Sequence, residues 1–255
     1  MSLCPSSAWV TVPVARPSAR IRMFCLPHGG GGASAYQPWA AQLPEFIEVC
    51  PVQLPGRESR LDEPPVRDRD ALVDLLLSEL IESADRPYAL FGHSMGALLG
   101  YELAEKATEF GLPEPLHLFA SGYRSPTTPR RGPVISTLPD EEFINELIHY
   151  GGIPDELLRN REYLKLVLPA FRSDFAVTES FGTASPKALR LPVAVFGGAA
   201  DEYVTGQELH AWREVTTGTC TIRTLPGGHF YLREAASAVL THIADELALD
   251  LELSH

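Results

Sequence analysis

The chain has 255 residues, 45% hydrophobic and 21% charged, the balance of a globular protein with room for one large α/β domain or two small ones. Its 33 acidic and 21 basic residues leave a formal net charge of −12, which argues against a nucleic-acid partner and against attachment to anionic lipid. No apolar stretch approaches the roughly 18 residues of a membrane span, and Cys4, Cys25, Cys50 and Cys220 are scattered without C-x-x-C or metal-like pairing with histidine, so a reducing cytoplasm is expected, with the last three cysteines in the core; a monomer is a separate expectation.

Residues 1–20 hold Pro5, Pro13, Pro17 and several serines, with no basic start followed by an apolar run; they read as a flexible leader rather than a secretion signal. From there short β-rich runs alternate with amphipathic helical stretches, the pattern of a mostly parallel sheet covered by helices on both faces. Strands are expected at Ile21–Leu26 and Ile47–Val52, the second leaving into Leu54-Pro55-Gly56-Arg57. Arg69–Ser83 reads as a helix with Leu72, Val73, Leu76, Leu80 and Ile81 on one face. Tyr88–Phe91 is a strand, a helix follows Ser94 to about Phe110, and Leu116–Ala120 is the next strand.

Between about 124 and 186 the alternation stops. Pro139-Asp140-Glu141-Glu142 reads as a helix start, acidic side chains at the positive end of the dipole, and Phe143–His149, Pro154–Arg159 and Glu162–Phe171 read as consecutive helices. Such an insertion is either a lid over an active site or a set of surface helices with no gating role. Strands at Leu191–Phe196 and Cys220–Leu225, a helix near Gln207–Val215 and a closing helix over Arg233–Leu249 complete one domain spanning 21–255.

Gly92-His93-Ser94-Met95-Gly96 follows the Tyr88–Phe91 run directly and matches the G-x-S-x-G nucleophile elbow, a strained strand-to-helix turn that lifts a serine hydroxyl above the sheet. A Cβ at either flanking glycine would meet neighbouring backbone. The competing reading is an ordinary glycine-rich turn with an idle serine. A serine hydroxyl needs a base to take its proton. Of eight histidines, His229 in Leu225-Pro226-Gly227-Gly228-His229-Phe230 lies just past the last strand, at the same sheet edge as the elbow. His28 is its competitor and otherwise, with Gly30, a residue lining the substrate site. His93 should be aimed away from Ser94.

In this fold the orienting acid comes between serine and histidine in chain order. Asp201 fits, with Glu202 as a possible substitute and a turn or helix-capping aspartate as the bland alternative. An oxyanion hole takes two N–H groups: that of Met95, and a second from Gly29 or, one residue on, Gly30. The Gly29–Gly32 run lacks the lysine and Ser/Thr placement of a phosphate-binding loop. The expected architecture is therefore an α/β-hydrolase with a helical lid and a Ser94–His229–Asp201 triad, with no metal and no cofactor.

Four segments, Leu26-Pro27-His28-Gly29-Gly30-Gly31, Val52 to Leu61 with its Pro55-Gly56-Arg57 loop, the elbow, and Pro226-Gly227-Gly228-His229-Phe230, together resemble type II thioesterases of polyketide synthase and nonribosomal peptide synthetase pathways. The run Pro169-Ala170-Phe171-Arg172-Ser173-Asp174-Phe175 is similar to the family pattern too, and Gly29 departs from it where an alanine is usual. The resemblance implies hydrolysis of stalled or aberrant acyl groups from the phosphopantetheine arm of an acyl or peptidyl carrier protein. Since such carriers are mostly acidic and this chain is net negative, docking calls for a local basic patch. Arg124, Arg130 and Arg131 are candidates, unless they are only a solvated cluster. The alternatives are a general serine esterase acting on free esters or thioesters, and a binding module that keeps the fold without the chemistry.

Overall fold

The computed structural model describes residues 7–153, 155–181 and 187–253. Residues 1–6 with Cys4 and Pro5, Pro154 and residues 182–186 of the insertion, and residues 254–255 lie outside them.

Among the described residues six strands form one sheet: β1 (Ile21–Leu26), β2 (Ile47–Pro51), β3 (Tyr88–His93), β4 (Leu118–Ser121), β5 (Val193–Gly198) and β6 (Cys220–Leu225). Their spatial order is β2-β1-β3-β4-β5-β6 and every neighbouring pair is parallel. Side chains alternate between two cores, as the twofold strand period requires. Ile21, Met23, Cys25, Ala89 and Phe91 pack with Tyr36, Trp39 and helix α7 (Leu232–Leu253). Phe24, Leu26, Tyr88 and Leu90 pack on the other face with α1 (Arg69–Ser83) and α2 (Met95–Glu109). Between β4 and β5 the chain inserts α3 (Asp140–His149), α4 (Asp155–Arg159) and α5 (Arg161–Glu179), which share a small core of Ile135, Phe143, Leu147, Ile153, Leu164, Val167, Leu168 and Phe171. This is the α/β-hydrolase architecture expected from the sequence. No helix among the described residues is long and apolar enough to cross a membrane.

Strand order explains where a site forms. From β1 the chain moves to β2 on one side, then crosses to β3 on the other, so the connections leaving β1 and β3 diverge and open a crevice at their carboxyl ends. The register pairs Leu26 with Gly92, which sets the glycine run beside Ser94.

Several boundaries differ from expectation. β3 and β5 run two residues further, through Gly92-His93 and Gly197-Gly198, because the hydrogen-bond ladder continues where the apolar pattern stops. The helix foreseen near Gln207–Val215 is a short α6 (Gly206–His210) followed by a 3₁₀ turn. α5 continues past Phe171 to Glu179, since its buried face extends through Ser173, Asp174 and Val177. Cys220 is half-buried rather than core, because β6 is the sheet's edge strand.

The flexible leader is corrected for residues 7–20. Trp9 and Val10 are buried, Val10 bridges Val52 antiparallel, and the Gln53 N–H donates to the Trp9 carbonyl at 2.8 Å. Arg16 Nη1 reaches the carbonyls of Leu43 (3.0 Å) and Ile47 (2.8 Å), and the Arg60 guanidinium covers the Trp9 ring at 4.2 Å. Two apolar side chains are enough to strap the segment over β2, although the prolines and serines around them suggested a loose chain.

Candidate active site

Ser94 stands at the β3–α2 junction with φ 53° and ψ −117°, a region that L-residues avoid. The turn is closed by the Ser94 N–H donating to the Ser121 carbonyl (2.8 Å) and the Ala97 N–H donating to the Ser94 carbonyl (2.9 Å). A Cβ on Gly92 would fall 1.9 Å from the Gly96 oxygen, and one on Gly96 would fall 2.3 Å from the Leu26 oxygen. Both glycines are steric necessities.

Asp201 and His229 come from loops that follow adjacent strands. β5 and β6 end in register at Gly198 and Leu225, and the Ala199 and Ala200 N–H groups donate to the Leu225 (2.7 Å) and Gly227 (2.8 Å) carbonyls. Beyond that stitching, His229 Nδ1 lies 2.9 Å from Asp201 Oδ2, and His229 Nε2 lies 3.2 Å from Ser94 Oγ. The other carboxylate oxygen, Asp201 Oδ1, accepts the Tyr203 N–H at 2.9 Å and the Val204 N–H at 3.3 Å. With Nδ1–H donating to the carboxylate, Nε2 offers its lone pair to the serine hydroxyl. Asp201 rather than Glu202 makes this contact; Glu202 lines the neighbouring cavity.

Among the described residues no ring nitrogen other than His229 Nε2 is bonded to the Ser94 hydroxyl. His28 packs instead against Phe230 and His93, with ring centroids 5.2 and 6.0 Å away, and it also lines the cavity. Burial, reinforced by His229, Arg233 and Arg57, pulls its pKa down to about 4, so it is neutral at neutral pH. His93 points away from Ser94: its Nδ1 meets Ser121 Oγ at 2.9 Å, and that oxygen meets Tyr231 Oη at 2.5 Å. Burial, then the nearby His229 and His28, hold His93 well below the usual histidine range.

The two candidate oxyanion residues on the glycine run differ in one decisive respect. The Gly30 N–H donates to Asp174 Oδ2 at 2.7 Å and is therefore committed, whereas among the described residues no acceptor meets the Gly29 N–H. Met95 is the first residue of α2, where an N–H has no acceptor within its own helix.

The family model described as "Thioesterase domain" matches residues 21–247, nearly the whole of this fold. The chain belongs to the thioesterase family. It is 37% identical over 243 residues to the gramicidin S biosynthesis protein GrsT of Aneurinibacillus migulanus, with 95% of each chain covered. Among solved structures it is similar to the type II thioesterase BorB from the borrelidin biosynthetic cluster, with TM-score 0.86 and 38% identity over 95% of this chain and 98% of that one. It is also similar to YbtT, a type II thioesterase from the yersiniabactin NRPS/PKS pathway, with TM-score 0.85 and 32% identity over 95% of this chain and 99% of that one.

In this thioesterase a cavity of about 360 Å³ opens at Ser94 and His229. One wall is apolar, with Tyr123, Ile135, Leu147, Tyr150, Phe171 and Phe175, while Arg124, Arg130 and Arg131 stand along it as well. Arg131 is paired with Glu208 at 2.5 Å, and Arg124 lies over the Tyr123 ring at 4.7 Å. Two contacts here are not visible in the sequence as contacts, although Asp174 falls in the Pro169–Phe175 run. Tyr203, two residues past Asp201, donates its hydroxyl to the His149 carbonyl at 2.7 Å and sets its ring edge-on to His229, centroids 5.7 Å apart. Asp174 reaches the glycine run from the middle of α5.

Proposed function

We propose that this thioesterase hydrolyses acyl thioesters held on the phosphopantetheine arm of an acyl or peptidyl carrier protein, clearing stalled or aberrant units from a synthase line. The observation that carries the reading is the unbroken chain Ser94 Oγ, His229 and Asp201, whose first two members line a partly apolar cavity. The biosynthetic settings named for its relatives supply the substrate class.

In this reading Ser94 Oγ attacks the thioester carbonyl as its proton passes to His229 Nε2, and Asp201 stabilises the imidazolium. The carbonyl oxygen takes up the negative charge against the N–H groups of Met95 and Gly29. The carbon–sulfur bond then breaks, and the departing sulfur takes the proton from His229 Nε2, which restores the neutral base. A thiol ionises near pH 8.5 or so, far below an amine leaving group's needs, so its departure asks little of the acid. Water, deprotonated by His229, attacks the acyl-serine; the ester bond breaks as that proton passes from His229 to Ser94 Oγ, and the free acid leaves. Helices α3 to α5 act as a lid over this cavity, its apolar wall taking the acyl chain.

The test compares a carrier-bound acyl thioester with the matched oxygen ester, for the wild type and for Ser94→Ala. Turnover of the carrier thioester well above that of the ester, abolished in Ser94→Ala along with labelling by a fluorophosphonate, is expected. Undiminished turnover in Ser94→Ala would refute the nucleophile, and preference for the free ester would favour a general esterase.

A further inference from the structure

Two stretches singled out in the sequence hold polar residues that the proposed chemistry does not use: the Pro55-Gly56-Arg57 loop after β2 and the Pro169–Phe175 run in α5. They meet each other. Arg57 grips Asp174 with both prongs of its guanidinium, Nη2 to Oδ1 at 2.9 Å and Nη1 to Oδ2 at 2.5 Å. The same Oδ2 accepts the Gly30 N–H at 2.7 Å, and Arg57 Nη1 also donates to the Gly31 carbonyl at 3.2 Å. Arg57 is 5% exposed and Asp174 1%. The Phe171 ring, one turn before Asp174, fills the space a Gly30 side chain would need. A loop, a glycine run and a lid helix are thus joined at one carboxylate.

A buried ion pair is a poor way to add stability, since apolar residues of similar volume often do as well. What an apolar pair could not do is accept the Gly30 N–H. Oxyanion stabilisation depends on donors fixed before the charge forms, and consecutive glycines are the backbone least able to fix themselves. Committing the Gly30 N–H to Asp174 restrains the peptide planes on either side of it and leaves the neighbouring Gly29 N–H available.

We propose that Asp174 and Arg57 are positioning residues that hold the glycine run in register, so that the oxyanion hole is complete only when α5 is seated on it. The inference rests on the assignment of Ser94 as nucleophile and Gly29 as donor. Asp174 neither lines the cavity nor bonds to Ser94; it acts through the Gly30 peptide.

The experiment uses the full chain with Asp174→Asn and Arg57→Lys. It measures steady-state hydrolysis of an acyl thioester, inhibition by an alkyl trifluoromethyl ketone, and fluorophosphonate titration of active sites. The ketone forms a bond from its carbonyl carbon to Ser94 Oγ, the serine proton moves to His229, and the resulting alkoxide must sit in the hole. Loss of one such donor lowers kcat by about 100-fold or more, so its misplacement in Asp174→Asn is expected to lower kcat per titrated site by about 10- to 100-fold. KM should stay within about twofold, and the ketone's inhibition constant should rise in step with the loss. Arg57→Lys, which keeps the charge but only one prong, should lose less. The proposal is overturned if kcat per titrated site and ketone affinity stay at wild-type values in a folded variant, or if neither variant folds and the pair serves folding alone. Failure of the underlying reading looks different, because the wild type itself would then take no fluorophosphonate at Ser94.

Discussion

Tyr203 lies face to face on Tyr150, ring centroids 4.4 Å apart and planes within 25° of parallel. Tyr150 caps α3 of the insertion, while Tyr203 sits in the loop that carries Asp201, so the stack and the Tyr203–His149 hydrogen bond tie the insertion to the Asp201 loop. Tyr203→Phe removes only that hydrogen bond and should cost about 1 kcal/mol of stability, with kcat/KM nearly unchanged. Tyr203→Ala also removes the stack and the wall against His229. It should cost about 2 kcal/mol for this partly exposed ring and lower kcat about tenfold or more. Denaturant melts and steady-state kinetics on both variants decide the matter; wild-type behaviour of Tyr203→Ala would remove Tyr203 from the site.

The glycine run supplies an internal control. A Cβ on Gly29 would meet Phe175 at 3.7 Å and Asp174 Cβ at 3.8 Å, ordinary contact, and Gly29 does not need positive φ. Gly30 has φ +77° and a Cβ there would lie 1.9 Å from the Phe171 ring. Gly29→Ala is therefore expected to keep kcat/KM and, by restricting the unfolded chain, to gain up to about 0.5–1 kcal/mol. Gly30→Ala should lose about 2 kcal/mol or more through strain and overpacking, and activity with it. Equal tolerance at the two positions would contradict the geometry.

That contrast also marks how far the sequence could be read. The elbow, the His229 and Asp201 loops and the sheet were legible because each is a local pattern: a turn with obligatory glycines, or a polar residue just past an apolar strand. That the Gly30 N–H is committed was not legible, since its acceptor is Asp174, 144 residues further on, inside a helix. Likewise Trp9 and Val10 look like part of a proline-rich tail until Val52 is known to lie beside them. Long-range polar contacts and edge straps leave no periodicity behind them.

His28 should make the fold sensitive to acid. Its folded pKa is lowered from 6.5 to about 4, chiefly by burial, so between those values the unfolded chain binds a proton that the native protein does not. Its contribution is intact above pH 6.5, falls as the pH drops, and is fully lost below about 4. The total is on the order of 3 kcal/mol, because each pKa unit is worth about 1.4 kcal/mol. His28→Gln should accordingly flatten the pH dependence of unfolding free energy between pH 6.5 and 4 relative to wild type. Parallel stability curves for the two proteins over that window would show that His28 carries no such linkage.

Arg130 is the most direct test of carrier docking. Its Nη1 is held by the carbonyls of Gly132 (2.7 Å) and Pro133 (2.9 Å), and among the described residues no carboxylate pairs with it. Arg131, by contrast, is already paired with Glu208. In a chain of net charge −12, a cation at the cavity that no carboxylate pairs with directly is a natural contact for an acidic carrier or its phosphorylated arm. Arg130→Glu is expected to raise KM for a carrier-bound acyl thioester by about five- to tenfold at low salt, the effect shrinking as ionic strength screens it. Hydrolysis of the same acyl group on N-acetylcysteamine, which lacks both phosphate and carrier, should not change. If the two substrates respond alike, Arg130 is a solvated surface charge with no part in docking.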